Sequence, residues 1–376
     1  MQQTLQKQRY ENGLVLYMAL ELSKRIWKVG FAVSGTDCRI RDVKAGDIQK
    51  LLEVIATMKA KLGLAADAKV VSGYEAGRDG FWIHRLLVSH GIDNRVMDAS
   101  SFEVERRARR AKSDRIDVRK LVGLVIRKEN GEERAYRRVN VPEEQVEVDR
   151  DLHRERSALK GDETRLRNRL TALLVRHGIF VALKRDLGER FESLRDWQDR
   201  PLPPTVIERC QRLWAQLELI KAQIKALEKQ QREAMAKDDA AAKQMRMLKL
   251  LKGLDQQIPC VLVRELFGWR KFQNGRQVGG LAGLTPTPYA SGSMSREQGI
   301  SKHGIARIRS LAVELAWLWV RFQPESPLTQ WFKRRYANGG KRLRRIGIVA
   351  VARKLLIALW RYLETGELPE GALVKA

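Results

Sequence analysis

Between Ala111 and Leu121 the sequence reads AKSDRIDVRKL, with two aspartates three residues apart inside a run of arginines and lysines. With Ser113 capping a helix that begins there, Asp114 and Asp117 fall about one turn apart on one face, so two oxygen ligands point the same way. Arg106, Arg107, Arg109, Arg110, Lys112, Arg115, Arg119 and Lys120 supply more positive charge than two carboxylates need as partners. Carboxylates paired for a hard metal ion, inside a surface that attracts phosphate, point to metal-dependent chemistry on nucleic acid. A solvated, salt-bridged helix has the same composition, and this stretch alone does not decide between the two.

A site of this kind needs further acids from other elements, and the N-terminal pattern supplies them. From Leu14 to Ala45, LVLYMAL, RIWKVGFAVSG and DCRIRDVKA read as three strands joined by tight connections, with a turn at Gly35 and Thr36. Glu21 closes the first and most apolar of them. A helix follows over residues 46 to 62, ending at Gly63. AKVVSGYEAGRDG is then a strand closing on Glu75, FWIHRLLVSHG a helix, and NRVMDA a strand ending near Asp98. An antiparallel meander followed by alternating helix and strand is the element order of a ribonuclease H-like α/β fold, in which acids at strand ends and on a late helix converge. Glu21, Glu75, Asp114 and Asp117 are therefore the candidate metal ligands. Four carboxylates can cage one or two magnesium ions (or manganese) across a phosphate, the ions about 3.5 to 4 Å apart in a two-metal site. Asp98, also at a strand end, is the competing choice for one place.

From about Pro142 the composition shifts to Glu, Lys, Arg, Gln, Ala and Leu. Leu213, Leu217, Ile220, Ile224 and Leu227 form a narrow seam at steps of three or four, the mark of paired helices. Pro201, Pro203 and Pro204 separate two such helices, giving a helical hairpin suited to dimerisation. Beyond Leu248 short helices alternate with Gly and Pro breaks. A Gly-bearing turn before a helix near Ile258 reads either as a phosphate-binding hairpin or as plain packing. The final helix, KRLRRIGIVAVARKLLIALWRYL, is amphipathic and expected on that core. The expected organisation is an α/β domain over residues 12–130, a helical, coiled-coil region over 140–247 and a mainly helical C-terminal domain over 248–365. In the last, PYASGSMSREQGISKHG places Ser291 before a glycine, in a small-residue run where a hydroxyl meets no steric obstruction; Ser293 shares the run. The string is not a hydrolase elbow, and His303 is its nearest candidate base.

The chain has 376 residues, 72 basic against 45 acidic, a formal charge of +27. That balance favours a polyanion, and without a lipidation signal or long apolar span the polyanion is nucleic acid rather than membrane. Cys38, Cys210 and Cys260 form neither a disulfide ladder nor a zinc pair and read as reduced thiols of a cytosolic protein. The first ten residues lack the apolar core of a signal peptide. Trp82, Trp317 and Trp319 are expected in the core, and His84 and His90 in structural or exposed roles. Arg106, Arg107, Arg109, Arg110, Lys112 and Arg115, with Lys302 and Arg307 after the serine run, are the candidate phosphate contacts.

GYEAGRDGFWIHRLL, AKSDRIDVRKL and GLAGLTPTPYASGSMSREQGISKHGIARIR, in that order and spacing, resemble the insertion sequence 110 family of transposases over nearly the whole chain. The resemblance implies a RuvC-like N-terminal domain with an acidic tetrad, and a C-terminal transposase domain with a nucleophilic serine. Matched motif to motif, Glu75 takes the glutamate place, Asp114 and Asp117 the paired aspartates, and Ser291 the serine. One departure stands out: the family usually has aspartate at the end of the first strand, and this chain has Glu21, one methylene longer. The resemblance further implies a covalent phosphoserine intermediate assisted by carboxylate-bound Mg2+ and double-stranded DNA as donor and target. It also implies a structured guide RNA from the element's non-coding end, assembly as a dimer or tetramer, and a bacterial, cytoplasmic, nucleoid-associated location. Two other readings remain open from the sequence. One is a metal-dependent endonuclease of branched, Holliday-junction-type DNA that uses only the acids; the other is a nucleic-acid-binding protein whose catalytic site has decayed.

Overall fold

The structure is a computed structural model describing residues 15–33, 37–77, 80–102, 113–291 and 294–375, with side chains at all of them except 100 and 290–297. It divides into two units, Met1–Val141 and Pro142–Ala376. The expected helical region and C-terminal domain both fall within the second.

In the first unit the apolar N-terminal runs become β1 (Leu16–Glu21), β2 (Ile26–Ala32) and β3 (Arg39–Lys44), paired antiparallel as the pattern predicts. The turn expected at Gly35 and Thr36 lies outside the described residues. Helix α1 (Ile48–Lys61) is capped by Asp47 accepting from the Lys50 amide, and Gly63 takes the left-handed conformation just past its end. Then come β4 (Val70–Glu75), α2 (Trp82–Ser89), β5 (Asp93–Asp98), α3 (Asp114–Glu129) and the short β6 (Arg137–Arg138). The sheet order is β3-β2-β1-β4-β5-β6, with β1, β4 and β5 parallel. The result is a mixed sheet with helices on both faces.

Strand alternation sorts the sheet's side chains to two cores. Leu16, Met18, Leu20, Val70, Tyr74 and Val96 pack with Leu51, Ile55 and Met58 of α1 and with Ile83 and Leu87 of α2. Ala19, Ala32, Val71 and Met97 pack with Val118, Leu121, Val122 and Val125 of α3. Two glycines let α3 approach closely. A Cβ on Gly30 would stand 2.9 Å from Val122 Cγ2, and one on Gly73 3.0 Å from Val125 Cγ2. The helix therefore crosses the sheet from β2 towards β4.

The second unit begins with α4 (Glu144–Asp149) and the helical pair α5 (Asp151–Val175) and α6 (Pro204–Ala236). Leu166, Leu170 and Leu173 of α5 meet Cys210, Leu213 and Leu217 of α6 in a shared core, with Ile220 packed at its edge. Pro204 opens α6, where its missing N–H costs nothing. A larger core then gathers α7 (Ala240–Leu250), α8 (Gln257–Leu262), a π-helical turn over Val263–Phe267, α9 (Gly275–Leu281), α10 (Ala306–Phe322), α11 (Pro327–Tyr336) and α12 (Lys341–Thr365). Ile258, Pro259, Cys260 and Leu262 of α8 are all buried, so the segment after the Gly253 turn is a packing unit. As expected, the last helix lies on this core, through Ile348, Val351, Ala352, Leu355, Leu356 and Leu359. No helix among the described residues is long and apolar enough to cross a membrane.

The expected loop around the serine is instead a β-hairpin, β7 (Pro286–Ser291) with β8 (Met294–Ile300). Pro286 and Pro288 are tolerated because a two-stranded ribbon leaves them edge positions. Its base is fixed by backbone bonds from Ser301 N to Thr285 O at 2.8 Å and from Lys302 N to Gly283 O at 3.1 Å. Gly304 has φ +147, and a Cβ there would meet Leu281 O at 2.3 Å, so only glycine fits.

Candidate active site

β1 and β4 are parallel neighbours in the register Leu20 with Tyr74, which sets Glu21 and Glu75 side by side at the two strand ends. Both lie on the α3 face by alternation, about 4.8 Å apart along the backbone. Glu75 is exposed and Glu21 half-buried. Opposite Glu21 in β2 is Lys28, which pairs with Asp42 of β3 at 3.0 Å. The loop after β4 is held by Tyr74 donating to Gly80 O at 3.1 Å.

Ser113 caps α3 as predicted, its hydroxyl accepting from the Ile116 amide at 3.4 Å. Asp114 and Asp117 occupy the first turn, where carboxylates also favour the positive end of the helix dipole. Helical spacing continues the buried stripe Val118, Leu121, Val122 and Val125 back to both acids, on the sheet side of the helix. Asp114 is exposed and Asp117 half-buried.

Glu21 and Glu75 are thus brought together, while Asp114 and Asp117 share a separate helical turn. Among the described residues no three His, Cys, Asp or Glu side chains stand close enough to hold a metal ion. The four candidates are all oxygen donors, the chemistry that suits magnesium or manganese. Asp98 closes β5 with the opposite parity, pointing away from the α3 face. It pairs with Arg137 at 3.3 Å, and its carbonyl accepts from Ser101, whose hydroxyl also accepts the Arg137 amide. It serves the β5–β6 corner instead.

In the second unit Ser291 pairs with Met294, the last registered pair of the hairpin, so its backbone stands at the tip. Its side chain, Gly292 and Ser293 lie outside the described set. His303 sits beyond the base of the hairpin, about 20 Å away by the rise of β8, too far to act as the base for Ser291 within one chain.

Arg106, Arg107, Arg109, Arg110 and Lys112 lie outside the described residues. Arg115 and Arg307 are exposed in the first turns of α3 and α10, and Lys302 is exposed at the hairpin base with φ +58. A further basic surface was not singled out from the sequence. Lys333, Arg334 and Arg335 at the end of α11 and Lys341, Arg342, Arg344 and Arg345 at the start of α12 are all exposed, with no ion pair among the described residues. The signal was available: no Asp or Glu occurs between Ser326 and Leu363. His84 is structural, its Nδ1 receiving the Asn94 amide at 3.0 Å, and burial lowers its pKa. Trp319 is buried, but Trp82 and Trp317 are 43% and 41% exposed, each packed on one side against an aromatic ring, so neither is a true core residue. The three cysteines are free, and burial pushes the Cys260 thiol up to about 11.

Residues 245–337, which include the serine hairpin and α10, match the family model described as Transposase IS116/IS110/IS902 family. Over 96% of its length the chain is 38% identical to a putative transposase, y4rJ, of Sinorhizobium fredii, covering 94% of that protein. It is 27% identical to a second putative transposase of that organism, y4qE, over 82% of this chain and 72% of that one. It is 26% identical to the transposase for insertion sequence element IS1328 of Yersinia enterocolitica, over 56% of this chain and 60% of that one.

Proposed function

This chain belongs to the IS116/IS110/IS902 family of transposases and is an enzyme acting on DNA, and from that premise we propose that it cuts and rejoins strands with Ser291 as nucleophile and a carboxylate-held divalent cation as its electrostatic partner. The observation that carries the reading is the placement of Glu21 and Glu75 at the ends of adjacent parallel strands, on the face crossed by the helix that Asp114 and Asp117 begin. The meander followed by alternating helix and strand supports a RuvC-like, ribonuclease H-like unit.

Glu21, Glu75, Asp114 and Asp117 would hold magnesium or manganese, which when bound offsets negative charge on the phosphate and the leaving oxygen. The reading requires the first turn of α3 to bring its aspartates onto the Glu21 and Glu75 pair. Ser291, at a hairpin tip, can enter a DNA groove without its own backbone in the way. A bond forms from Ser291 Oγ to phosphorus, one strand P–O bond breaks, and the departing oxygen leaves as a hydroxyl. Rejoining is the reverse, with an incoming hydroxyl displacing the serine. The phosphoester conserves the bond energy between the two steps. A guide RNA that selects donor and target DNA, a homo-oligomer, and a cytoplasmic, nucleoid-associated location complete the proposal. The exposed basic residues of α11 and α12 support a role for the protein in gripping phosphate backbones while base pairing chooses sequence.

Covalent trapping tests this. Incubated with magnesium and element-end DNA, the parent protein yields a protein–DNA adduct that Ser291→Ala abolishes and that Glu75→Gln and Asp114→Asn each reduce at least 100-fold, about 2.7 kcal/mol. Magnesium-dependent nicking that persists in Ser291→Ala without an adduct replaces this mechanism with the acid-only endonuclease. Full activity in both carboxylate variants removes the metal site.

A further inference from the structure

Where α4 meets α5, the second unit gathers several guanidiniums around one buried carboxylate. Glu265, in the π-helical turn, is 2% exposed. Arg154 grips it with two bonds of 2.8 and 3.1 Å, Arg150 Nε donates to it at 3.1 Å, and His153 Nε2 lies 3.0 Å away. Burial pushes the Glu265 carboxyl up, but the bonds from His153 and Arg154 and the charges of Arg150 and Arg154 outweigh it and hold the group well below the usual range. Burial also lowers the pKa of His153, so the imidazole is a neutral member of the set. Both carboxylate oxygens are thereby satisfied.

Arg270 is nevertheless there. Its guanidinium lies 3.9 Å from the centre of the Trp269 ring, and that of Arg150 lies 5.2 Å from the same ring. Arg270 reaches Glu265 only through a 3.5 Å bond from its Nε to the backbone oxygen. The terminal nitrogens of Arg150 and Arg270 have no acceptor among the described residues. Burial, and then the like charge of Arg150, pull Arg270 down to about 10. Arg307, exposed at the start of α10, is close enough for its charge to act on His153. One buried carboxylate therefore bonds Arg150 and Arg154 and lies beside Arg270, with Glu147 and Asp151 adding negative charge near the first two, and Arg150 and Arg270 rest on one indole with their forks unused. Guanidiniums set side by side in a partly buried site repel one another, and an anion between them would offset that cost. Planar forks that are already oriented suit the paired oxygens of a phosphate. Pinning by cation–π contact lowers the entropy lost on binding.

We propose that this arginine cluster binds a phosphate group of a nucleic-acid backbone, with the terminal nitrogens of Arg150 and Arg270 as donors and Arg307 adding charge nearby. The inference rests on the reading of the protein as an enzyme acting on DNA, and names one place where it holds its strands. DNA and RNA share the phosphodiester chemistry, and the test separates them.

Binding of matched DNA and RNA duplexes is measured against salt for the parent and for Arg270→Gln, with thermal shifts in inorganic phosphate alongside. The full-length variant is expected to fold with a Tm no lower than the parent, because a repelled charge is gone. Its slope of log K on log salt should be shallower by about one, its affinity about 10-fold weaker, and its phosphate-induced Tm shift lost. Weakening confined to one duplex assigns the site to that nucleic acid. Should Arg270→Gln unfold, Arg307→Gln at an exposed position carries the same slope measurement. Parent-like slope and affinity on both duplexes overturn the site, as does a phosphate shift with duplex binding unchanged. A parent protein with no salt-dependent binding to either duplex removes the underlying reading instead.

Discussion

Gly30→Ala separates the positioning of α3 from the chemistry of its acids. The new Cβ would meet Val122 Cγ2 at 2.9 Å, Cys38 Sγ at 3.1 Å and Val118 Cγ2 at 3.2 Å, where carbon contacts prefer about 3.5 to 4.0 Å. Two of the three neighbours are β-branched side chains of the helix itself, stiff at χ1 and unable to swing aside. The helix must retreat by roughly half an ångström or more, at about 1–3 kcal/mol of overpacking. Asp114 lies one turn before Val118 and moves with it. Since a displacement on the order of 1 Å can cost about 100-fold in rate, magnesium-dependent strand cleavage should fall at least 10-fold while the fold survives. Gly73→Ala is the comparison: it meets Met97 Cε at 2.9 Å, the far end of a flexible side chain, and only one stiff side chain of the helix, Val125 Cγ2 at 3.0 Å, against two at Gly30, so its effect should be in the same direction and smaller. Urea titration of the full chain reads the stability term, and adduct yield reads the positioning. Gly30→Ala with Val122→Ala removes the nearest clash and should restore most of the adduct. A single variant as stable and active as the parent, or a double variant that regains nothing, refutes the idea that this glycine sets the helix over the acids.

Two further expectations follow from the charges. Glu265 is held below its unfolded value of 4.5, so its contribution is present above that pH and lost as pH falls through and below it, about 1 kcal/mol by pH 4. His153, lowered from 6.5 by burial, acts in the same direction from a higher pH, because the unfolded imidazole takes up a proton that the folded one resists. Urea midpoints should therefore decline from pH 7 to pH 4 in the parent, while Glu265→Gln keeps the His153 decline that begins near pH 6.5 and loses the part below about pH 5; equal slopes below pH 5 in both would contradict the network. On the basic surface, replacing Arg334, Arg335, Arg342 and Arg345 with glutamine should reduce the salt slope of duplex binding by about 3 to 4, with Tm unchanged. An unaltered slope would show that these exposed cations do not touch the backbone.

The helical part of the chain was legible because its patterns are long. The seam from Leu213 to Leu227 and the stripe from Ile348 to Leu359 persist over several turns, and periodicity needs that length to rise above chance. The serine hairpin was not legible. PTPYAS has two prolines and small residues where a strand usually carries β-branched and aromatic ones, and its pairing is fixed from outside, by Gly283, Gly304 and the backbone bonds at its base. Trp82 and Trp317 were misjudged for a related reason. An apolar residue at helical spacing faces a neighbour, but spacing does not tell how much of a large ring that neighbour covers.

Glu21, Glu75 and Asp98 all close strands, and at that level they are equivalent. Parity distinguishes them once one residue in each strand is known to face the late helix. Ala19 and Gly73 do so, and Glu21 and Glu75 lie two residues beyond them; Met97 does so in β5, leaving Asp98 one residue out of phase. The alternation of β5 was readable in the sequence, since Val96 and Met97 are adjacent and must point apart, but which of them met the helix depended on α3 crossing that face and not the other. Helix crossing is a long-range fact, set here by Gly30 and Gly73 opposite Val118, Val122 and Val125. Replacing Asp98 with asparagine should accordingly cost at most the Arg137 contact, while the same loss of charge at Glu75 acts on the face where the paired aspartates begin.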